Sequence, residues 1–350
     1  MAEPWTLVTG ASGFIGARLV RQLIERGERV TAFVRAESNL SQLMGLPDDR
    51  FRLAVGDIRV EHSVFRALAG CHRMYHVAAN FKLWAKRRED ILDPAIEGTR
   101  ATLSAARKRG LDKIVVTSSA VTLGSSANPD VLDEEDELEL RDPDTYVEAK
   151  YRAEQLALEM AEQLPIVVVL PATVVGPGDW KPTPTGTGVL RYLRLPPNLR
   201  VPVPDGGLNV VDVDDVALGH VLAMEKGRVG ERYILGGEDL TYEELIDTLS
   251  DLTDLAMPGR QMGPGMFELA ARFMELRARL GGPEPDLSYR MARDYVGAYA
   301  FLSSEKAERE LGYRHRTARE ALGRAVRWFL EKGYVPERAA RRVRLELRPT

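Results

Sequence analysis

Tyr146 and Lys150 stand four residues apart in Thr145-Tyr-Val-Glu-Ala-Lys150, at the head of a strongly helical run, so both side chains project from one face. A phenol with its ordinary pKa of about 10 is a poor acid or base near neutrality. An ammonium beside it favours phenolate and draws the pKa toward a useful range. Such a tyrosine can give a proton to, or take one from, an oxygen on a reacting carbon. Upstream, a β-branched run ends in Thr117-Ser118-Ser119, where a serine hydroxyl could hold the same oxygen. Near the N-terminus, Thr9-Gly10-Ala11-Ser12-Gly13-Phe14-Ile15-Gly16 follows a short apolar strand and opens a helix. Glycines at such a turn let the chain reverse sharply, let amide N–H groups approach a pyrophosphate and let the helix pack closely on the strand. The helix start adds partial positive charge where phosphates would sit.

These groups need a scaffold, and the hydrophobic pattern supplies one. Residues 5 to about 170 alternate short β-branched runs with amphipathic stretches, the signature of βαβ units around a parallel sheet. Strands are predicted near 5–9, 29–34, 51–55, 73–77, 112–117 and 166–170, and six of them suit a doubly wound sheet. Phe14 to Gly27 places Ile15, Leu19 and Leu23 at helical spacing, with Val20 and Ile24 beside them, and stops at a glycine. After Pro171 the runs Gly176-Pro177-Gly178, Lys181 to Gly186 and Pro196-Pro197 predict a loop-rich second region. Val210 to Met224 returns to strand then helix, with Asp212 or Asp214 as N-cap, and Arg232–Leu235 reads as one more strand. Thr241-Tyr-Glu-Glu244 has capping-box spacing, and the remainder is helical and charged. The expected fold class is therefore α/β: a Rossmann-type doubly wound parallel sheet with a smaller, loop-rich α/β substrate domain. The nucleotide-binding domain spans residues 1–170, completed by segments near 208–235. Residues 171–207 and 236–335 form the substrate-binding region, and 336–350 a basic tail.

A formal charge of −4 over 350 residues argues against a nucleic-acid partner, which usually needs a basic face. The single cysteine, Cys71, allows no intramolecular disulfide. Met1 leads straight into a strand-like segment without signal-peptide character, and no apolar run reaches membrane-spanning length, so cytoplasm is the expected location.

The glycine spacing is Gly-x-x-Gly-x-x-Gly, and Thr-Gly-Ala-Ser-Gly-Phe-Ile-Gly resembles the opening of the extended short-chain dehydrogenase/reductase family, of NAD-dependent epimerase/dehydratase type. Gly56-Asp57-Ile58, His76-Val77-Ala78-Ala79, Glu97-Gly98-Thr99, Tyr146 with Lys150, the segment from Leu170-Pro171 to Gly176-Pro177, and Val213-Asp214-Asp215-Val216-Ala217 extend the likeness. The resemblance implies a catalytic set of Ser119, Tyr146 and Lys150, with Ser119 preferred to Ser118 as the last serine before the Ala-x-Thr segment. It implies that Gly10, Ser12, Gly13, Phe14, Ile15 and Gly16 cradle the cofactor diphosphate. Asp57 would bind the adenine amine beside Ile58. Ala78, Ala79, Thr117, Pro171, Thr173 and Val174 would line the rest of the cofactor site, with Tyr146 and Lys150 at its reactive end.

At the end of the second strand a carboxylate would bind the adenosine ribose hydroxyls and repel a 2′-phosphate. Arg35 stands there instead, so NADP(H) is favoured, with NAD(H) kept open by Glu37 two residues later. One departure is that Ala95 occupies the place where many relatives carry an asparagine before Val-x-Gly-Thr, and proton delivery would then need another route.

Cys71, His72 and His76 sit on or beside one predicted strand without a second ligand pair nearby, so no metal is expected. Phe81 and Trp84, among Lys82, Lys86, Arg87 and Arg88, follow the cofactor turn and are candidate substrate-covering residues in what otherwise reads as a solvated charged face. Thr183 and Thr185, beyond the last strand of the sheet, are candidate substrate contacts. The arginine-rich stretch from Arg338 to Arg348 is interrupted by Glu346. In relatives the tyrosine helix often packs beside the helix near Gly98 in a homodimer; Leu156 and Met160 could supply such a face or simply be buried in the monomer.

Phe81-Lys-Leu-Trp84, Lys181 to Gly186, Leu208-Asn209-Val210-Val211 and Gly230 to Gly237 resemble the hopanoid-associated sugar epimerase and dihydroflavonol reductase-like groups. The expectation is an NADPH-dependent reductase of a small-molecule ketone or aldehyde. A nucleotide-sugar epimerase or dehydratase is the alternative, and a non-catalytic NADP-binding sensor or scaffold is the reading from another class.

Overall fold

The computed structural model describes residues 4–79, 84–85, 87–138, 143–282, 289–290, 293 and 296–345. The first half alternates strands and helices: β1 (Trp5–Thr9), α1 (Phe14–Glu25), β2 (Arg29–Val34), β3 (Phe51–Val55), α2 (Glu61–Ala67) and β4 (Cys71–His76). There follow α3 (Glu89–Arg109), β5 (Lys113–Thr117), β6 (Val131–Leu132), α4 (Thr145–Met160) and β7 (Ile166–Pro171). The second half holds β8 (Thr173–Val175), α5 (Pro184–Arg194), β9 (Val201–Val203), β10 (Gly207–Asp212), α6 (Val213–Lys226), β11 (Arg232–Leu235), β12 (Glu238–Thr241) and α7 (Tyr242–Thr253). It ends with β13 (Gly259–Gln261), α8 (Pro264–Arg279), β14 (Tyr299–Leu302), α9 (Glu305–Leu311), α10 (Ala318–Glu331) and the short α11 (Glu337–Ala340).

The largest sheet has seven parallel strands in the order β11-β7-β5-β4-β1-β2-β3. All six strands read from the sequence are in it, and Arg232–Leu235 adds the seventh at an edge. Neighbouring residues in its strands belong to different cores. Leu7, Ile114, Val116, Ile166 and Val168 pack on one face with residues of α2, α3 and α4. Val8, Val115, Val167 and Val169 pack on the other with residues of α1 and α6. Both faces are covered, which is why these strands are continuously apolar. Full burial of one such side chain contributes about 1.5–3 kcal/mol. The strand order reverses between β1 and β4, and in open α/β sheets ligands bind at such a switch, outside the carboxyl ends of the strands.

A second sheet runs β12-β10-β14-β6, with β8 pairing β10. Of the segments near 208–235, β10 belongs to this second sheet, whereas α6 covers the first and β11 joins it. A third core gathers Val189 and Leu193 of α5, Leu249 and Leu252 of α7, and Leu322, Val326 and Phe329 of α10. The Pro- and Gly-rich run after Pro171 is less irregular than its composition suggests. Pro184 lies in the first turn of α5, where its missing N–H and fixed φ cost nothing, and Thr183 caps that helix. Asp212, not Asp214, caps α6, and Thr241 with Glu244 forms the capping box of α7. Arg18 of α1 grips Asp214 with two hydrogen bonds of 2.5 and 2.7 Å, and Arg324 reaches Asp212 at 3.1 Å, so charge links α1, α6 and α10.

Candidate active site

The turn after β1 tolerates little but glycine. Gly10 has φ +66°, and a Cβ there would lie 2.7 Å from the Ala78 Cα on the turn after β4. A Cβ at Gly16 would lie 2.2 Å from the Gly10 carbonyl oxygen. Gly13 is the N-cap of α1 and offers no side chain, so no capping oxygen competes for the amide N–H groups at Phe14 and Ile15. A bare helix start at the sheet's switch point fits a dinucleotide's pyrophosphate.

Thr9 stitches the two turns together. Its Oγ accepts the Ala78 N–H at 3.1 Å and lies 2.9 Å from His76 Nδ1, to which it donates because Thr99, on the other side of the ring, spends its proton on the Ala95 carbonyl. The proton of neutral His76 is then on Nε2, facing the Thr99 hydroxyl at 3.5 Å, and Thr99 donates onward to the Ala95 carbonyl at 2.8 Å. Burial, helped by the nearby Lys150 charge, lowers the His76 pKa to about 4. His76 is thus a satisfied core histidine. Among the described residues no group of His, Cys, Asp and Glu side chains could hold a metal ion.

Just past the end of β2, Arg35 is 71 % exposed and pairs with Glu37 at 3.2 Å. Asp57 receives the Arg59 guanidinium on both oxygens, and this pairing lowers its pKa. Ile58 packs under Gly98, where a Cβ would meet its Cδ1 at 2.8 Å.

The candidate residues Ser119, Tyr146 and Lys150 come together where the end of β5 meets α4. Asp144 caps α4 by accepting the Tyr146 N–H at 2.8 Å, which sets the helix start that carries the phenol. Tyr146 is 7 % exposed, and the Ser119 side chain hydrogen-bonds its hydroxyl. Burial pushes the phenol well above its ordinary pKa; Ser119 works against that and Asp144 adds to it. This differs from the sequence expectation of a lowered value, because desolvation is the largest influence on the phenol. Tyr146 is a proton-bearing phenol here. Lys150 Nζ donates to the Ser118 carbonyl at 3.4 Å, and burial brings its pKa down to about 8, against the pull of Glu154.

Glu154 escaped the sequence reading although it continues the Tyr146, Lys150 spacing by four more residues. It is 1 % exposed. Its carboxylate accepts from the Ser118 and Thr122 hydroxyls and pairs with Arg232 at 3.1 Å. Thr117 donates to Nε2 of His220 at 2.8 Å, since Nδ1 of that ring faces the Val216 carbonyl at 2.7 Å. Its hydroxyl is thus turned toward α6. Glu148, between the two reactive residues in sequence, is buried and paired with Arg88 and with Arg152.

The remaining candidates are spread more widely. Pro171 ends β7, while Thr173 and Val174 are half-buried in β8. Trp84 is half-buried, Ala79 is exposed, and Phe81 lies outside the described residues. Thr183 spends its hydroxyl on Asp179 and on the Gly186 N–H. Thr185 is half-buried in the first turn of α5.

The profile of the NAD dependent epimerase/dehydratase family matches residues 6–236. The chain belongs to that family. A Synechocystis protein carrying the name of a dihydroflavonol 4-reductase is 38 % identical over 338 residues, 94 % of this chain and 95 % of its own. Sterol demethylase protein B of Methylococcus capsulatus is 34 % identical over 335 residues, 94 % of this chain and 99 % of its own. The NAD-bound structure of dTDP-glucose 4,6-dehydratase from Streptomyces venezuelae matches with TM-score 0.74 and 25 % identity, over 95 % of this chain and 99 % of its own. The protein is an enzyme of the extended short-chain dehydrogenase/reductase type, within a family of NAD-dependent oxidoreductases and epimerases. Among the described residues no helix is long and apolar enough to cross a membrane.

Proposed function

We propose that this protein is an NADPH-dependent reductase of a ketone or aldehyde, similar in reaction to a dihydroflavonol reductase. The carrying observation is the placement of a buried phenol, Tyr146, hydrogen-bonded by the Ser119 side chain and one helical turn from Lys150. Reduction needs a proton donor at the carbonyl oxygen, and the Lys150 charge with a bound nicotinamide would offset the burial that raises this phenol's pKa. The bound nicotinamide would supply the hydride. Ser119 and Tyr146 would hold the carbonyl oxygen, and Tyr146 Oη would give it a proton as the carbon is reduced. Lys150 holds positive charge below about pH 8 and would stabilise the phenolate left behind.

Gly10, Ser12, Gly13, Phe14, Ile15 and Gly16 would carry the diphosphate, and Asp57 and Ile58 the adenine. Ala78, Ala79, Thr117, Pro171, Thr173 and Val174 would line the remaining cofactor surface. Arg35 supports NADP(H), because no carboxylate stands at the end of β2 to repel a 2′-phosphate. Residues 1–170 would bind cofactor, and 171–207 with 236–335 would bind substrate through groups such as Thr183 and Thr185, with Phe81 and Trp84 reaching it from the first region. A homodimer through α3 and α4 is part of the reading, although Leu156 is already buried at 8 % within one chain. A cytoplasmic location goes with this reading.

The likeness to a nucleotide-sugar dehydratase favours one second reading, an epimerase or dehydratase that returns its cofactor oxidised. The test is titration with NADPH and NAD, followed by reduced-nicotinamide absorbance with ketones, aldehydes and sugar nucleotides. Net NADPH consumption supports the reductase. Turnover without net cofactor change moves the assignment to the second reading, and binding without any turnover would point to a cofactor sensor.

A further inference from the structure

Helix α8 is apolar on two sides. Ala271 and Ala278 are buried at 0 and 3 % exposure and mark the side turned to the protein. On the other side Met266, Leu269, Phe273, Leu276 and Leu280 are 45, 69, 67, 56 and 80 % exposed. Among the described residues twelve large apolar side chains are exposed, and these five share one helix and its C-cap. Their spacing of three, four, three and four residues stacks them into a single ridge. Five large apolar side chains exposed in one contiguous row call for an occupant.

Charge and shape select the occupant. Exposed Arg272, Arg277 and Arg279 flank the ridge, whereas Glu268 and Glu275 are half-buried on the sides leaning toward the protein. Arg272 donates to the Tyr289 hydroxyl at 2.5 Å, which holds its guanidinium beside the helix. With the ridge at the a and d positions of a heptad, the three arginines take g, e and g. Pairing with a second copy in either direction would set arginine against arginine. A bilayer interface takes an apolar helix ridge without a matching groove, and flanking cations suit an anionic one. Lipid phosphates pair with guanidinium, and arginine stems can lie along the acyl chains.

We propose that α8 docks this protein on an anionic phospholipid surface, with Leu269, Phe273 and Leu276 entering the interface and the flanking arginines meeting phosphates. The helix would lie in the plane of the membrane surface. The proposal is independent of the reductase reading.

The test is co-sedimentation of the full chain with vesicles of phosphatidylcholine alone and of phosphatidylcholine mixed with phosphatidylglycerol. The protein is expected to pellet with the mixed vesicles, about tenfold more weakly without the anionic lipid, and less at high salt. Leu269→Glu combined with Phe273→Glu should abolish pelleting while leaving the thermal midpoint in place, because both side chains are exposed. Arg277→Gln combined with Arg279→Gln keeps the ridge and should weaken binding about tenfold or more, which tests the idea even if the first variant folds poorly. A wild-type protein that stays in solution with both vesicles overturns the proposal. So does pelleting that neither variant changes, or a protein complex broken by Phe273→Glu in the absence of vesicle binding.

Discussion

Arg59 closes its guanidinium on both carboxylate oxygens of Asp57, two residues back along the chain. The pair keeps Asp57 ionised and fixes its direction, yet leaves lone pairs for a further donor. Arg59 is 58 % exposed, so the pair adds at most about 1 kcal/mol to stability. Under the proposed reading its effect falls on the cofactor instead. Arg59→Gln should leave the thermal midpoint nearly unchanged and weaken NADPH binding by about threefold to tenfold, measured by fluorescence titration. A cofactor with hypoxanthine in place of adenine lacks the amine that Asp57 would hold, and it should bind variant and wild type alike. Equal loss for both cofactors would show that Arg59 does not act through Asp57.

Tyr146→Phe deletes the acid and little else. The variant should fold and bind NADPH within about twofold of wild type, while kcat drops by about 10²–10⁴. A variant that keeps most of its turnover would remove Tyr146 from the reaction.

Lys150 gives that reaction a pH dependence. Its ammonium is the form present below about pH 8, so carbonyl reduction should slow as pH rises through that value. Lys150→Met should be slow at every pH and lose the inflection near 8. An inflection that survives the substitution belongs to another group.

Arg35→Asp puts a carboxylate where the ribose hydroxyls of NAD would accept it and a 2′-phosphate would not. The ratio of NADP to NAD affinity should fall by about tenfold to a hundredfold, the size of a lost charge-assisted contact. An unchanged ratio would mean that Arg35 does not face the ribose.

What the sequence discloses depends on how far apart the interacting residues are. The strands of the large sheet are legible because both faces are buried, which leaves unbroken apolar runs such as Ile166 to Leu170. The capping box at Thr241 is legible because both partners lie within one turn. Glu154 with Arg232, Thr117 with His220 and Arg18 with Asp214 are separated by 78, 103 and 196 residues, and nothing local marks them as pairs. Glu154 alone left a trace, at the next helical step after Lys150. Helix α5 was hidden by Pro182 before it and Pro184 in its first turn, which read as breakers unless the capping role of Thr183 is recognised. The ridge on α8 went unread because arginines between the apolar positions make the segment look merely charged.

Four buried groups set opposing pH dependences of stability, and one substitution separates them. His76 and His220 are lowered by burial from 6.5 to about 4. Between those values the unfolded chain takes up protons that the native protein refuses, so their contribution is present above 6.5 and lost as pH falls through 4. Asp179 and Asp212 are raised by burial from 3.8 to about 6. Native carboxyls there keep protons that the unfolded chain has released, so their contribution is present below 3.8 and lost as pH rises through 6. The two effects offset each other between pH 4 and 6. Asp179 receives the Thr183 N–H and hydroxyl, and an asparagine can keep part of that set without a buried charge. Asp179→Asn should therefore match wild type near pH 4 and exceed it by about 1–3 kcal/mol above pH 6, read from urea midpoints across that range. A difference between the two proteins that does not change with pH would mean that the native Asp179 titrates as an ordinary carboxylate.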